Sequence, residues 1–277
     1  FLIYAICGCS YIFFSDSKLN KALSIKFGFA QLYSFFTLFV CVVIAFSMLT
    51  IAISIFRNGF KLNIDITNGI LVLTIVLSIL FIIFGTGSGK IPEVNMDNKT
   101  IKLVEWNVTN NINKSNIQEI FGEFDADIAV FPELEGYEKG DKSNKRLADL
   151  FKKANIDFDK YEAYISEPSE GNISPVTVVI KKDFGEYSIY KETPMTRSGT
   201  VYLSSKDKTK PPIIGLHTAP PLIGLMSIWE RDLNLIADIS CDNKESIIIG
   251  DFNATMKHGC LNNIKTHLDV LEYAFKK

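Results

Sequence analysis

The sequence predicts helical membrane spans followed by one α/β domain, and three observations predict it. The first is composition: of 277 residues, positions 1–84 hold 56 apolar side chains, while the remaining 193 positions hold 75. The second is a pair of long uncharged apolar runs, at 27–56 and 66–84. The third is an alternation of strand-type and helix-type segments from residue 100 onward. Charge divides at the same place, with a net +3 over the first 84 residues and a net −5 over the rest. The mean hydropathy of +0.17 therefore averages two unlike regions. Neither a single soluble globule nor a disordered chain fits them.

A bilayer core of about 30 Å takes roughly 20 apolar residues in a helix, and helix satisfies the backbone there. Spans are expected at 30–56 and 66–84, with 1–14 as the tail of a partial first span. The sequence opens at Phe1 rather than Met, so its true start is read as missing or cut away. Three runs with short loops do not resemble a signal peptide. Lys18, Lys21 and Lys26, then Arg57 and Lys61, then Lys90, Lys99 and Lys102 follow successive runs. That even spread leaves the positive-inside rule no asymmetry to read. Residues 85–99 are expected to be a linker. The segment Gly85-Thr86-Gly87-Ser88-Gly89-Lys90 lacks the glycine spacing and the final Ser or Thr of a phosphate-binding loop.

The remaining residues, 100–277, form the expected α/β domain. Strands are expected at 101–108, 127–131, 161–165, 176–181, 187–190, 199–203, 212–217 and 246–249, the last entering a Gly-Asp turn. Helices are expected from a Ser115 cap through Phe121, at 142–154, at 224–239 and, weakly, at 261–275. The 224–239 helix is the clearest, with Leu225, Ile228, Trp229, Leu233 and Ile236 at helical spacing. Cys7, Cys9, Cys41, Cys241 and Cys260 follow no disulfide or metal-binding pattern.

Four strand ends carry polar groups: Glu105-Trp106-Asn107, Phe131-Pro132-Glu133, Leu216-His217-Thr218-Ala219-Pro220 and Gly250-Asp251-Phe252-Asn253-Ala254. Strand ends in layered α/β folds face the binding crevice. An Asp/Asn pair, a second carboxylate, an imidazole and an amide gathered there suit phosphoester hydrolysis. A hard divalent cation takes carboxylate oxygens and neutralises phosphoryl charge. A second carboxylate can orient water. Asp251 and Asn253, two apart after a strand, would share one side, with Phe252 turned inward. Taken singly, each segment also reads as an ordinary turn, and His217 as a core histidine.

In this order the motifs resemble the endonuclease/exonuclease/phosphatase superfamily, with its deoxyribonuclease-I-like four-layered α/β sandwich. The resemblance runs from about Ile101 to the C-terminus. It implies that Glu133 is the main metal ligand and that Asn107 helps hold metal-bound water or phosphate. It also implies that Asp251 orients or deprotonates the attacking water, and that Asn253 and His217 contact the phosphoryl group. The implied metal is Mg2+, with Mn2+ or Ca2+ as substitutes. Two features depart from the pattern. No Asp-His pair follows Asn253, and His258 and His267 do not look like replacements, so the domain is read as incomplete at its C-terminus. Asn172-Ile173-Ser174-Pro175 stands where many relatives carry a Gly near the substrate.

The expected function is a metal-dependent phosphoesterase held at the cell membrane by several spans. Its expected substrate is a lipid-linked phosphate or diphosphate. The net −5 and the lack of a basic run with interleaved aromatics do not favour stable nucleic-acid binding. An anchor would raise the effective concentration of a membrane substrate. The arrangement resembles bacterial membrane-anchored members linked to envelope phosphate chemistry, whose catalytic domain faces outside. The alternatives are an anchored extracellular nuclease, or a non-catalytic envelope-binding module if Lys277 is the true end.

Overall fold

Among the described residues, short runs of β-branched and aromatic residues form two four-stranded sheets, and each sheet contains one parallel pair joined by a helix. β1 (Leu103–Glu105) leads through α1 (Lys114–Ile117) to β2 (Ile128–Phe131), and the strands pair parallel with Leu103 opposite Ile128. β3 (Tyr161–Ile165) and β4 (Thr177–Lys181) complete the first sheet antiparallel, in the order β1-β2-β4-β3. In the second sheet β5 (Tyr187–Ile189), β6 (Thr200–Ser205) and β7 (Ile213–His217) pair antiparallel. α2 (Met226–Asp242) then carries the chain to β8 (Ile247–Asp251), which pairs parallel with β7. A parallel pair needs such a crossover. Both parallel pairs therefore end on polar motifs at the C-terminal ends of their strands.

The computed structural model describes residues 17–34, 45, 48–50, 52–53, 69, 72, 75–76, 100–136, 143–167, 174–190, 192, 194–256 and 258–270. These belong to two compact units. One is Phe1–Glu93 with Thr255–Asn262 and Leu268–Lys277; the other is Val94–Ala254 with Asn263–His267. In the first unit, short helices at Lys18–Ser24 and Phe29–Ser34 are tied to the later segment. Gly259 N donates to Ser24 Oγ at 2.8 Å, and His258 Nε2 lies 3.2 Å from the Ala30 carbonyl. Among the described residues no helix is long and apolar enough to cross a membrane. The expected span at 1–14, and most of those at 30–56 and 66–84, lie outside the described residues.

In the second unit the alternation of each strand divides its side chains between two cores. Ala129, Phe131 and Val179 face one core with Phe121, Leu147 and Phe151. Ile128, Val130, Val178 and Ile180 face the other with Val201, Leu203 and Ile213 of the second sheet. β2, buried along its whole length, thus packs on both faces. A fully buried side chain of this size contributes roughly 1.5–3 kcal/mol. This layered α/β arrangement with mixed sheets is the one expected.

The elements differ from expectation in five places. The strand expected at 101–108 is confined to Leu103–Glu105, because the Asn107 side chain closes a turn onto the Thr109 backbone just beyond it. Asn113, not Ser115, caps α1, because its side chain accepts from the backbone of Ser115 and Asn116. The turn after α1 continues as a π-helix, Gln118–Glu123. β8 runs on through Gly250 to Asp251 instead of turning at Gly-Asp. Gly250, at φ +150, lies opposite Leu216, whose carbonyl occupies the space that a side chain would need. The expected helix at 261–275 is not formed from 264 to 269, where a 3-10 turn at Gly259–Asn263 gives way to irregular chain, although Val270 is helical. Thr266 Oγ1 donates to the Ser240 carbonyl and His267 bonds Ser246 Oγ, so side chains hold a non-helical course.

Candidate active site

The first parallel pair delivers Asn107 and Glu133. Asn107 follows β1 directly, and its Oδ1 accepts from the Thr109 backbone at 3.2 Å, a local turn. Glu133 follows β2 with φ +61, and Thr109 and Asn110 sit at φ +43 and +59. Left-handed conformations are unfavourable for such residues and gather at functional sites. Asn110 N donates to the Glu133 carbonyl, which joins the two loops.

The second parallel pair delivers His217 and Asp251, which are opposite partners in the β7–β8 register. Asn253 follows at φ +46, its backbone N–H bonded to Asp251 Oδ1 at 2.9 Å. Its amide reaches the Thr218 carbonyl at 3.1 Å. A turn, rather than strand alternation, therefore places Asn253 beside Asp251.

The two pairs meet through one amide. Asn107 Nδ2 donates to Glu133 Oε1 at 3.1 Å and to Asp251 Oδ2 at 3.0 Å. His217 Nε2 lies 3.9 Å from each of the same two oxygens. The imidazole is buried, and its Nδ1 finds no partner among the described residues. Burial holds its pKa below the usual range, against the opposing pull of Asp251, Glu133 and Asp232. Glu105 is exposed as a residue on β1, yet desolvation of its carboxyl and, second, the Asp251 charge push it up to about 7. The five residues singled out from sequence, Asn107, Glu133, His217, Asp251 and Asn253, are thus assembled at the joined ends of the two sheets.

Supporting residues escaped the sequence reading. Asp232, fully buried on α2, accepts from Ala219 N at 2.9 Å and Arg197 N at 3.1 Å, and its other oxygen takes Arg231. It pins the backbone that follows His217. The signal was present: an Asp on the buried stripe of a helix beside Trp229, Leu233 and Ile236 needs partners. Arg146 donates to the Asn110 side chain and carbonyl and to the Glu135 carbonyl, while Asn110 Nδ2 reaches Ser174. One guanidinium therefore holds the loops carrying Asn107 and Glu133 together. Thr196 Oγ1 donates to the His217 carbonyl at 2.7 Å. Among the described residues no three His, Cys, Asp or Glu side chains form a ready metal-ligating group. Of the segment before β4, Ser174 and Pro175 are described, while Asn172 and Ile173 lie outside the described residues.

A family model described as Endonuclease/Exonuclease/phosphatase family matches residues 103–270, the whole span of the two sheets. No curated protein matches the chain. Among solved structures, it is similar to the crystal structure of a functionally unknown conserved protein from Enterococcus faecalis V583. The identity is 12% and the TM-score 0.39, over 61% of this chain and 72% of that one. By its match over residues 103–270, the chain belongs to the endonuclease/exonuclease/phosphatase family, whose members are typically hydrolases of phosphoesters such as nucleases and phosphatases.

Proposed function

We propose that the chain is a divalent-metal-dependent phosphoesterase anchored at the cell membrane, acting on a lipid-linked phosphate or diphosphate. The observation that carries the catalytic part is the Asn107 amide bridging Glu133 and Asp251 beside a buried imidazole. Among the described residues, no Lys or Arg forms an ion pair with either carboxylate. Two carboxylates with no Lys or Arg partner, beside an imidazole whose pKa burial lowers, fit a hard cation, and magnesium needs only one or two of them because it keeps several waters.

In this reading Glu133 would hold Mg2+, or Mn2+ or Ca2+ in its place, and Asn107, whose Nδ2 faces the two carboxylates while its Oδ1 is taken by Thr109, would help hold metal-bound water. When bound, the ion polarises the phosphoryl oxygens and neutralises their developing charge. Asp251, with Oδ1 fixed by Asn253 N and Oδ2 by Asn107, orients and deprotonates the attacking water. His217, held neutral by burial, donates one N–H toward the scissile phosphate. Asn253 contacts a phosphoryl oxygen.

The choice of a membrane substrate is supported by the 56 apolar residues among the first 84 and by the net −5 of the rest. The same composition supports a multi-pass location, and an outward-facing catalytic domain is proposed only from the resemblance to membrane-anchored members. A duplex substrate would call for cationic neutralisation of many phosphates. The test compares phosphate release from a lipid diphosphate with nicking of plasmid DNA, using the full chain and magnesium. Lipid turnover without nicking is expected. Nicking that Asp251→Asn abolishes, with no lipid turnover, would make the chain a nuclease instead.

A further inference from the structure

The loop at 220–226, Pro-Pro-Leu-Ile-Gly-Leu-Met, leaves the candidate site directly after His217-Thr218-Ala219. Its root is fixed. Ala219 N is bonded to buried Asp232, and Thr218 Oγ1 donates to the Phe252 carbonyl at 2.6 Å. Pro220 and Pro221 stiffen the exit, and Leu222 N donates back to the Pro220 carbonyl. Beyond this root the side chains turn outward: Leu222 is 56% exposed and Ile223 79%. A side chain built at Gly224, φ +84, would meet no atom within 4 Å, so the tip stands clear of the protein around it.

The loop also lacks the composition of a solvated turn. No Asp, Glu, Lys or Arg occurs between His217 and Glu230. A scattered exposed aliphatic needs no explanation, but two adjacent ones at an uncharged tip beside a polar site mark a contact surface. Size selects the partner. A stable protein interface buries about 800 Å² on each side, far more than two aliphatic tips provide. In a chain proposed to be held at the membrane, the bilayer is the surface that the loop meets at high effective concentration, and even a small apolar protrusion then adds to binding in proportion to the area it buries.

We propose that loop 220–226 is a membrane-contacting element that dips Leu222 and Ile223 into the bilayer and sets His217 and Asp251 at headgroup depth. The inference rests on the lipid-linked substrate reading and specifies how such a phosphate reaches the site. Its hydrocarbon stays in the bilayer beside the loop while the phosphate meets the polar cluster.

The test places Ile223→Trp in the full chain, reconstituted in phosphatidylcholine vesicles with plain or brominated acyl chains. The unsubstituted chain supplies the background from Trp106 and Trp229. The expected result is that bromine quenches the added tryptophan emission by at least half. An added emission equal in both vesicle types overturns the proposal. So does an emission that changes only with protein concentration, which would mean that a second copy covers the loop. A second variant, Leu222→Ser/Ile223→Ser, is expected to lower the ratio of vesicle-lipid turnover to turnover of a short soluble phosphoester about tenfold. An unchanged ratio counts against the loop. Quenching is read without turnover. Bromine quenching in a chain that hydrolyses no lipid phosphate would therefore uphold the loop contact and remove only the substrate reading.

Discussion

His217 and Asp251 face each other across the parallel β7–β8 ladder, with His217 Nε2 3.9 Å from Asp251 Oδ2. The register fixes this pairing, since a slip of β8 by one residue would turn Asp251 to the opposite face from His217. His217→Ala is therefore expected to lower turnover about 10²- to 10³-fold, the usual loss for one donor aimed at developing charge. Steady-state kinetics, with a urea midpoint confirming that the variant folds, checks this.

Glu105 gives the fold a pH signature. Its carboxyl is raised from 4.5 to about 7 in the folded chain. Between those values the folded state binds more protons than the unfolded state, so stability falls as pH rises from about 4.5 to 7. In Glu105→Gln this decline should disappear. Urea unfolding with a chelator present, at several pH values across the window, measures it. Equal slopes in the two proteins would contradict the assignment.

Glu133→Gln should weaken metal dependence and turnover together. A magnesium titration of activity is expected to shift to higher concentration as the maximum falls. A lower maximum at an unchanged magnesium midpoint would remove Glu133 from the metal site.

Strands were legible from sequence because buried β-branched runs such as Ile128–Phe131 admit few other structures. The site residues were legible because each follows such a run. What the sequence hid were contacts between segments far apart. Asn107 and Asp251 are 144 residues apart, and Arg146 and Asn110 are 36 apart. No local periodicity encodes such bonds. The segment after Leu261 was read as weak helix because its competing partners, Ser240 and Ser246, lie on α2 and before β8. No local pattern marks Glu105, because the Asp251 carboxylate that adds to its desolvation lies far along the chain.

Arg146 ties two loops together through three hydrogen bonds. Arg146→Met should destabilise the domain by about 2–3 kcal/mol, the scale for losing charge-assisted bonds and leaving acceptors unmet. Arg146→Lys should recover less than half of that, since a single ammonium cannot reproduce the guanidinium fork. Urea unfolding of the three proteins checks both values.

The assembly of Asn107, Glu133, His217 and Asp251 as a hydrolytic site is tested most directly at Asp251. The measurement is magnesium-dependent phosphate release by the full chain, compared with Asp251→Asn, a substitution that keeps the shape and removes the charge. The expected result is a fall of about 10²- to 10⁴-fold with an unchanged unfolding midpoint. Equal phosphate release by the two proteins would contradict the assignment.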